Sequence, residues 1–213
     1  MVVVLLESEK DTINDKDYCN VILSNYLERH FDDRLLENID KKFKIAKKAV
    51  EMIPEKGVVI LDSGTTVLQI AKLLNFKSDL VIITSSLIVA EVLGNSKNKL
   101  IVTGGELRKK SMSFVGHLAT QAIEIIHADI AFLGCDGFRV GGPCTGSYRE
   151  LEVKRRIINN SKEVVLVTDS SKFSIDGLYK FTTFDQIDHL ITDTSVNEQQ
   201  LKLLPSNIEV SIA

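Results

Sequence analysis

The stretch Val58-Val59-Ile60-Leu61-Asp62-Ser63-Gly64-Thr65-Thr66 joins a short apolar run to a helical pattern that continues from Val67 to Leu74. It predicts a buried strand, a tight turn of small hydroxyl residues, and the start of a helix. The first N–H groups of a helix have no internal acceptors, and its dipole adds partial positive charge at the same end. Gly64 lets the backbone approach a ligand closely, and the hydroxyls of Ser63, Thr65 and Thr66 offer further hydrogen bonds. Such a corner either cradles a phosphate or is a helix capped by Ser63 or Thr65. Three hydroxyls around one glycine, directly after a buried strand, tilt the reading towards phosphate.

The same alternation runs outward from this corner. Expected strands are Val58–Asp62, Leu80–Thr84, Leu100–Thr103, Ala128–Cys135, Val164–Asp169, His189–Thr192 and Ile208–Ile212. Expected helices are Lys41–Ile53, Thr65–Leu74, Ser86–Leu93, Val115–Ile126, Glu150–Asn160 and Asn197–Leu203. Several of the strands are continuous apolar runs rather than alternating ones. Strands buried on both faces read that way, so the expected fold is α/β, a mainly parallel sheet flanked by helices.

In such sheets ligands gather at the carboxyl ends of the strands. Those ends carry Asp62 to Thr66, then Thr84-Ser85-Ser86, then Thr103-Gly104-Gly105-Glu106, then Gly134-Cys135-Asp136-Gly137, and finally Thr168 to Lys172. Turns favour these residue types anyway, but five polar ends together suit a small phosphorylated, hydroxylated molecule. In this crown Thr84, Ser85 and Ser86 either form a second wall or cap the next helix. Gly104 and Gly105 admit the ligand to the backbone, Glu106 accepts sugar hydroxyls, and Arg108 pairs with phosphate or lies on the surface. Asp136, beside Gly137, binds sugar hydroxyls or turn amides. Lys172 meets the phosphate or neutralises a neighbouring carboxylate. Glu150 and Lys154, four apart on a helix, read as an exposed ion pair. The glycine-bearing stretch Phe138 to Tyr148 is either a lid over the site or a plain connection.

The 213 residues are 44% hydrophobic and 26% charged, enough for one sizeable core. A net charge of -3 argues against direct grip on nucleic acid. Lys41, Lys42, Lys44, Lys47 and Lys48 form a basic cluster that reads as a solvated helix face. Cys19, Cys135 and Cys144 make no C-x-x-C pair, and the four histidines have no zinc-site spacing, so neither a metal nor another cofactor is expected. A reducing cytoplasm fits. Met1-Val2-Val3-Val4-Leu5-Leu6 is apolar but too short for a membrane span, and it lacks the basic flank of a secretion signal.

Motif by motif, the order resembles the effector-binding domain of DeoR-family transcriptional regulators. The matching pieces begin at Phe31…Arg34…Asn38…Lys41…Ile45-Ala46…Ala49 and continue through Leu61 to Thr66, Ile83 to Leu87, and Thr103 to Arg108. They go on through Ser113 to Gly116, Asp129 to Gly137 and Glu150 to Arg155, and close with Thr168 to Phe173 and Ile187 to Asp193. The resemblance implies a fold similar to ribose-phosphate isomerase, glucosamine-phosphate deaminase and coenzyme A transferase. It also implies a non-catalytic sensor of a phosphorylated sugar or related metabolite, working as a homo-oligomer and controlling a helix-turn-helix that binds operator DNA. It brings Glu150 and Lys154 into the site beside Asp62, Ser63, Gly64, Thr65, Thr66, Asp136, Gly137 and Lys172. About 30 residues precede Phe31, fewer than the ~50 of a small domain. The expected division is therefore an atypical segment over residues 1–30, without the family's helix-turn-helix, and a sensor domain over 31–213. Ser85, where the family more often carries Asn, and Gly142-Pro143-Cys144-Thr145 depart from the pattern and bear on the ligand contacts. The alternative is a sugar-phosphate isomerase or deaminase-like enzyme, with Asp136, Glu150 and Lys172 cast as acid and base.

Overall fold

A computed structural model describes residues 31–206 and 208–213. The segment 1–30, including the weak helix expected between Tyr18 and Arg29, lies outside the described residues.

Two helices open the chain, α1 (Phe31–Leu35) and α2 (Ile39–Glu51). Then come β1 (Gly57–Leu61), α3 (Thr65–Leu74), β2 (Ser78–Thr84), α4 (Leu87–Leu93) and β3 (Lys97–Val102). A small hairpin follows, β4 (Glu106–Arg108) with β5 (Ser113–Val115), and then α5 (His117–Glu124) and β6 (Ala128–Leu133). A second hairpin, β7 (Gly137–Arg139) and β8 (Gly142–Thr145), precedes α6 (Tyr148–Asn159) and β9 (Ser161–Val167). The chain closes with β10 (Tyr179–Lys180), β11 (His189–Thr192), α7 (Glu198–Leu201) and β12 (Glu209–Ile212).

Seven strands form one sheet in the order β12-β11-β9-β6-β1-β2-β3, and every pairing in it is parallel. Alternation along β1 explains the layers. Val59 and Leu61 face a core shared with α2, α3 and α4, whereas Ile60 faces the core under α5 and α6. The inner strands β1, β6 and β9 are thus covered on both sides towards their C-terminal ends, which is why they read as apolar runs there. On α2 the stripe Ile45, Ala46 and Ala49 is fully buried, as a 3.6-residue period requires.

Two local expectations change. Val115 ends β5, opposite Glu106, and the helix begins only after Gly116, whose φ of 85° suits glycine. The stretch from Phe138 to Tyr148 is neither a lid nor a plain connection. It folds as the β7–β8 hairpin of a three-stranded antiparallel sheet with β10, and β8 is buried along its whole length. Gly142 lies so close to the Thr182 carbonyl that a Cβ there would stand 2.1 Å from it.

The chain runs outward from β1 to β3 on one side and then returns to β6 on the other. The switch point therefore falls between β1 and β6, where Leu61 lies level with Phe132. This crevice is where ligands collect in open parallel sheets.

Candidate functional site

A depression lies over that crevice, and Ser63, Gly64, Thr65, Thr66, Asp136, Glu150, Lys154 and Lys172 line it.

The floor is the start of α3. Gly64 occupies the N-cap position, and no side chain caps the helix. The first helical bond is the one Leu68 N–H donates to the Gly64 carbonyl, at 2.9 Å. The capping alternative for Ser63 and Thr65 is therefore not what this helix uses. Gly64 has φ 153°, and a Cβ built on it would meet nothing within 4 Å. Glycine is there for backbone conformation and open approach. The arrangement leaves the first-turn amides and the dipole facing the depression.

Asp62 lies just beneath, at 1% exposure. Its carboxylate accepts from Gly134 N–H at 3.2 Å and forms an ion pair with the Lys154 ammonium, which also donates to the Gly134 carbonyl at 2.9 Å. Lys154 reaches in from α6 over the Phe181 ring, 5.1 Å from its centroid. Burial pulls its pKa down, but Asp62, Glu150 and Asp136 outweigh that, so it rises above the ordinary lysine value. Glu150, one turn earlier, accepts from Thr145 Oγ1 at 3.2 Å and from Ser113 Oγ at 3.4 Å. Both residues are buried, so the exposed-pair reading fails for them.

Asp136 closes the far side. It accepts from Arg34 Nη1 at 2.9 Å and Gly146 N–H at 2.9 Å, and it shares the single Thr145 hydroxyl proton with Glu150, Thr145 Oγ1 lying 3.2 Å from each carboxylate. Burial raises its pKa, but the Arg34 guanidinium, the Gly146 amide and the Lys154 and Lys172 charges bring it below the usual carboxylate range. Lys172 contributes a further cation from the turn after β9. Cys135 also lines the depression. Its thiol donates to Thr168 Oγ1 at 3.5 Å, and burial pushes its pKa up to about 12.

Other members of the polar crown stand apart from the depression. Thr84 Oγ1 accepts from Ser86 N–H at 3.0 Å, and Ser86 Oγ caps α4 by accepting from Val89 N–H at 3.2 Å. The Ser85 carbonyl accepts from Phe114 N–H at 2.7 Å. Gly105 has φ 112° and presses on the next hairpin, where a Cβ would sit 2.7 Å from the Val115 carbonyl; Gly104, beside it, has φ 67°. Glu106 pairs with Arg149 at the surface, and Arg108 donates to Ser111 Oγ at 3.1 Å. Gly137 gives the backbone room, since a Cβ would stand 2.1 Å from the Ile175 carbonyl.

The structure adds residues to the site that sequence reasoning did not single out. Arg34 and Lys42 line it, as does Thr145, beside Asp169 from the expected strand end Thr168 to Lys172. Lys42 belongs to the basic cluster read as solvated, yet it is 2% exposed. Its position three and four residues before Ile45 and Ala46 sets it on the buried stripe, and that phase was the available signal. Burial lowers its pKa to about 8, with Asp169 pulling the other way. Its ammonium donates to the Arg34 carbonyl at 2.7 Å.

Among the described residues no group of His, Cys, Asp and Glu is placed to hold a metal ion, and no helix is long and apolar enough to cross a membrane.

Comparison with known proteins bears on this geometry. Among solved structures, ribose 5-phosphate isomerase A from Neisseria gonorrhoeae covers 66% of this chain and 56% of its own at 18% identity and a TM-score of 0.49. The eIF2B delta subunit of Chaetomium thermophilum covers 89% of this chain and 68% of its own, at 17% identity and the same TM-score of 0.49. Sequence relatives are nearer. A putative aga operon transcriptional repressor of Escherichia coli O157:H7 is 35% identical over 187 residues, 86% of this chain and 70% of the relative. The transcriptional regulator GolR of Listeria innocua is 35% identical over 175 residues, 81% of this chain and 69% of the relative. The glycerol-3-phosphate regulon repressor of Escherichia coli K12 is 33% identical over 163 residues, 76% and 65% respectively. Residues 37–194 match the DeoR C-terminal sensor domain, so the chain belongs to the DeoR family of transcriptional regulators and carries that family's effector-binding domain.

Proposed function

We propose that the depression between β1 and β6 binds a phosphorylated sugar or related metabolite, with the phosphate on the first amides of α3. The uncapped, glycine-led start of that helix is the observation that carries the reading. Ser63, Thr65 and Thr66 add hydroxyl donors, and Lys154 and Lys172 supply positive charge. Asp136 and Asp169 then face the sugar hydroxyls as acceptors. The contacts of Thr84, Ser85, Ser86, Gly104, Gly105, Glu106 and Arg108 support structural roles for them.

The relatives carry names of repressors of an aga operon and a glycerol-3-phosphate regulon, which supports a repressor of carbohydrate-catabolism genes. The protein acts in the cytoplasm as a homo-oligomer, and DNA is read by a helix-turn-helix outside the sensor domain. The site favours sensing over catalysis. Of the residues cast as acid and base, Asp136 and Glu150 are each held by hydrogen bonds, which supports a binding role for them, and Lys172 lines the depression as a cation.

A thermal-shift screen of sugar phosphates against their unphosphorylated parents, followed by incubation of the hits, tests both points. Selective stabilisation by a phosphate ester without turnover is expected. Equal stabilisation by the unphosphorylated parent removes the phosphate reading, and efficient turnover lost in Asp136→Asn replaces the sensor by an enzyme.

A further inference from the structure

The segment from Arg34 to Lys42 crosses the rim of the sheet and touches the ends of three neighbouring strands. Arg34 Nη1 donates to Asp136 after β6, at 2.9 Å. Asn38 Nδ2 donates to Asp169 after β9, at 3.1 Å, from a left-handed backbone at φ 52°. Lys41 Nζ reaches Asp193 after β11, at 3.2 Å. Lys42 Nζ then donates back to the Arg34 carbonyl at the end of α1, at 2.7 Å.

Helix α1 has five residues, far fewer than a helix needs to stand alone. Its place depends on the burial of Phe31, the bond from Phe31 N–H to the Lys110 carbonyl at 2.9 Å, and the contacts of Arg34. Two donors in the segment remain underused. Arg34 Nε is buried without a hydrogen-bond partner among the described residues, and Lys42 is a buried ammonium with its bond to the Arg34 carbonyl. Both residues line the same depression as the start of α3. An anion held there would offer acceptors to each.

We propose that residues Arg34 to Lys42 form a clasp belonging to the effector site, which closes on a bound phosphate ester through Arg34 and Lys42 and so reports occupancy to the chain entering at Phe31. This rests on the reading that the depression binds a phosphate ester. Ligand shifts the clasp by binding its ordered state more tightly than its frayed one, and the shift is bounded by that difference. Arg34 is then a binding residue with two duties: it neutralises Asp136 without ligand and turns part of its fork to the anion with it.

Hydrogen–deuterium exchange on the full chain tests this, with glycerol 3-phosphate, fructose 6-phosphate and inorganic phosphate as probes. With a probe that slows exchange at Thr65 to Val67, exchange in Phe31 to Leu35 slows as well, by about tenfold. In Arg34→Gln the α3 amides still slow and the α1 amides do not; Lys42→Met gives the same uncoupling, so the test does not hang on one variant. Slowing at α3 with no change at α1 in the unaltered protein overturns the clasp while leaving the phosphate site standing. So does equal slowing of α1 in Arg34→Gln. If no probe slows α3, the phosphate reading itself fails, a result distinct from either.

Discussion

The ammonium of Lys154 bridges the carboxylate of Asp62, at the end of β1, and the carbonyl of Gly134, just after β6. One side chain from α6 therefore ties together the two loops that flank the switch point. The side chains of the pair are 5% and 2% exposed, so water offers little replacement if one partner goes. Removing one member of a buried ion pair costs about 3–5 kcal/mol, because the other charge stays buried. Lys154→Met is expected to lower unfolding stability by that order in urea titrations, and adding Asp62→Asn to recover part of it. A loss of less than about 1 kcal/mol would show that the pair is not what holds the crevice.

Gly64 is the second point of leverage. A Cβ at φ 153° strains the backbone by about 1–3 kcal/mol although it meets no neighbour. The added atoms stand where the phosphate is proposed to sit. Gly64→Ala is expected to fold with reduced stability, and Gly64→Val to lose ligand-induced thermal stabilisation altogether. Calorimetric titration of Gly64→Val with an unchanged affinity would move the ligand elsewhere.

Two groups make stability rise with pH, in separate windows. Burial works against the Asp193 carboxylate, but the amides of Ser170 and Ser195, the Ser170 hydroxyl and Lys41 hold its pKa down at about 2. A depressed carboxylate stabilises the fold above its unfolded pKa, and the benefit disappears as pH falls from about 4 through 2. The amount is about 2 kcal/mol, and Asp193→Asn is expected to flatten acid denaturation across that window.

Lys42 acts in the same direction at higher pH. Its folded pKa of about 8 lies below the ordinary lysine value of 10.5, so the unfolded chain binds the proton more tightly. Stability is expected to rise between about pH 8 and 10.5. An anion beside Lys42 favours its charged form, so affinity for a phosphate ester should fall as pH rises through 8. Calorimetry in buffers of different ionisation heat would register the proton taken up on binding, and Lys42→Met should abolish it.

The β7–β8 hairpin offers a steric test. A Cβ on Gly142 or Gly137 would lie 2.1 Å from a backbone carbonyl, of Thr182 or Ile175. Backbone cannot yield as a flexible side chain does, so Gly142→Ala and Gly137→Ala are each expected to destabilise by about 1–3 kcal/mol. Guanidinium unfolding checks this; wild-type midpoints would mean that the small sheet moves freely.

The central sheet was legible because its strands are continuous apolar runs ended by turn residues, and the corner from Asp62 to Thr66 announced the start of α3. Strand order was not legible, and it decides which polar strand ends share a cavity. Placing β2 and β3 beyond β1 carries Thr84 to Ser86 and Gly104 to Arg108 away from the crevice that Asp136 and Lys172 reach. The small hairpins were missed because strands of two to four residues carry little periodicity, and theirs is set by distant partners such as Phe138 with Phe173, whose rings stack at 4.6 Å. Lys42 was hidden by its charged neighbours, although its helical phase matched the buried stripe.

Cys135 brings a sulfur atom into a pocket surrounded by polar groups. The reactive species in alkylation and peroxide chemistry is the thiolate. Burial pushes the Cys135 pKa up to about 12, so the thiolate is disfavoured at neutral pH. Iodoacetamide and hydrogen peroxide should therefore modify this sulfur more slowly than an ordinary exposed cysteine.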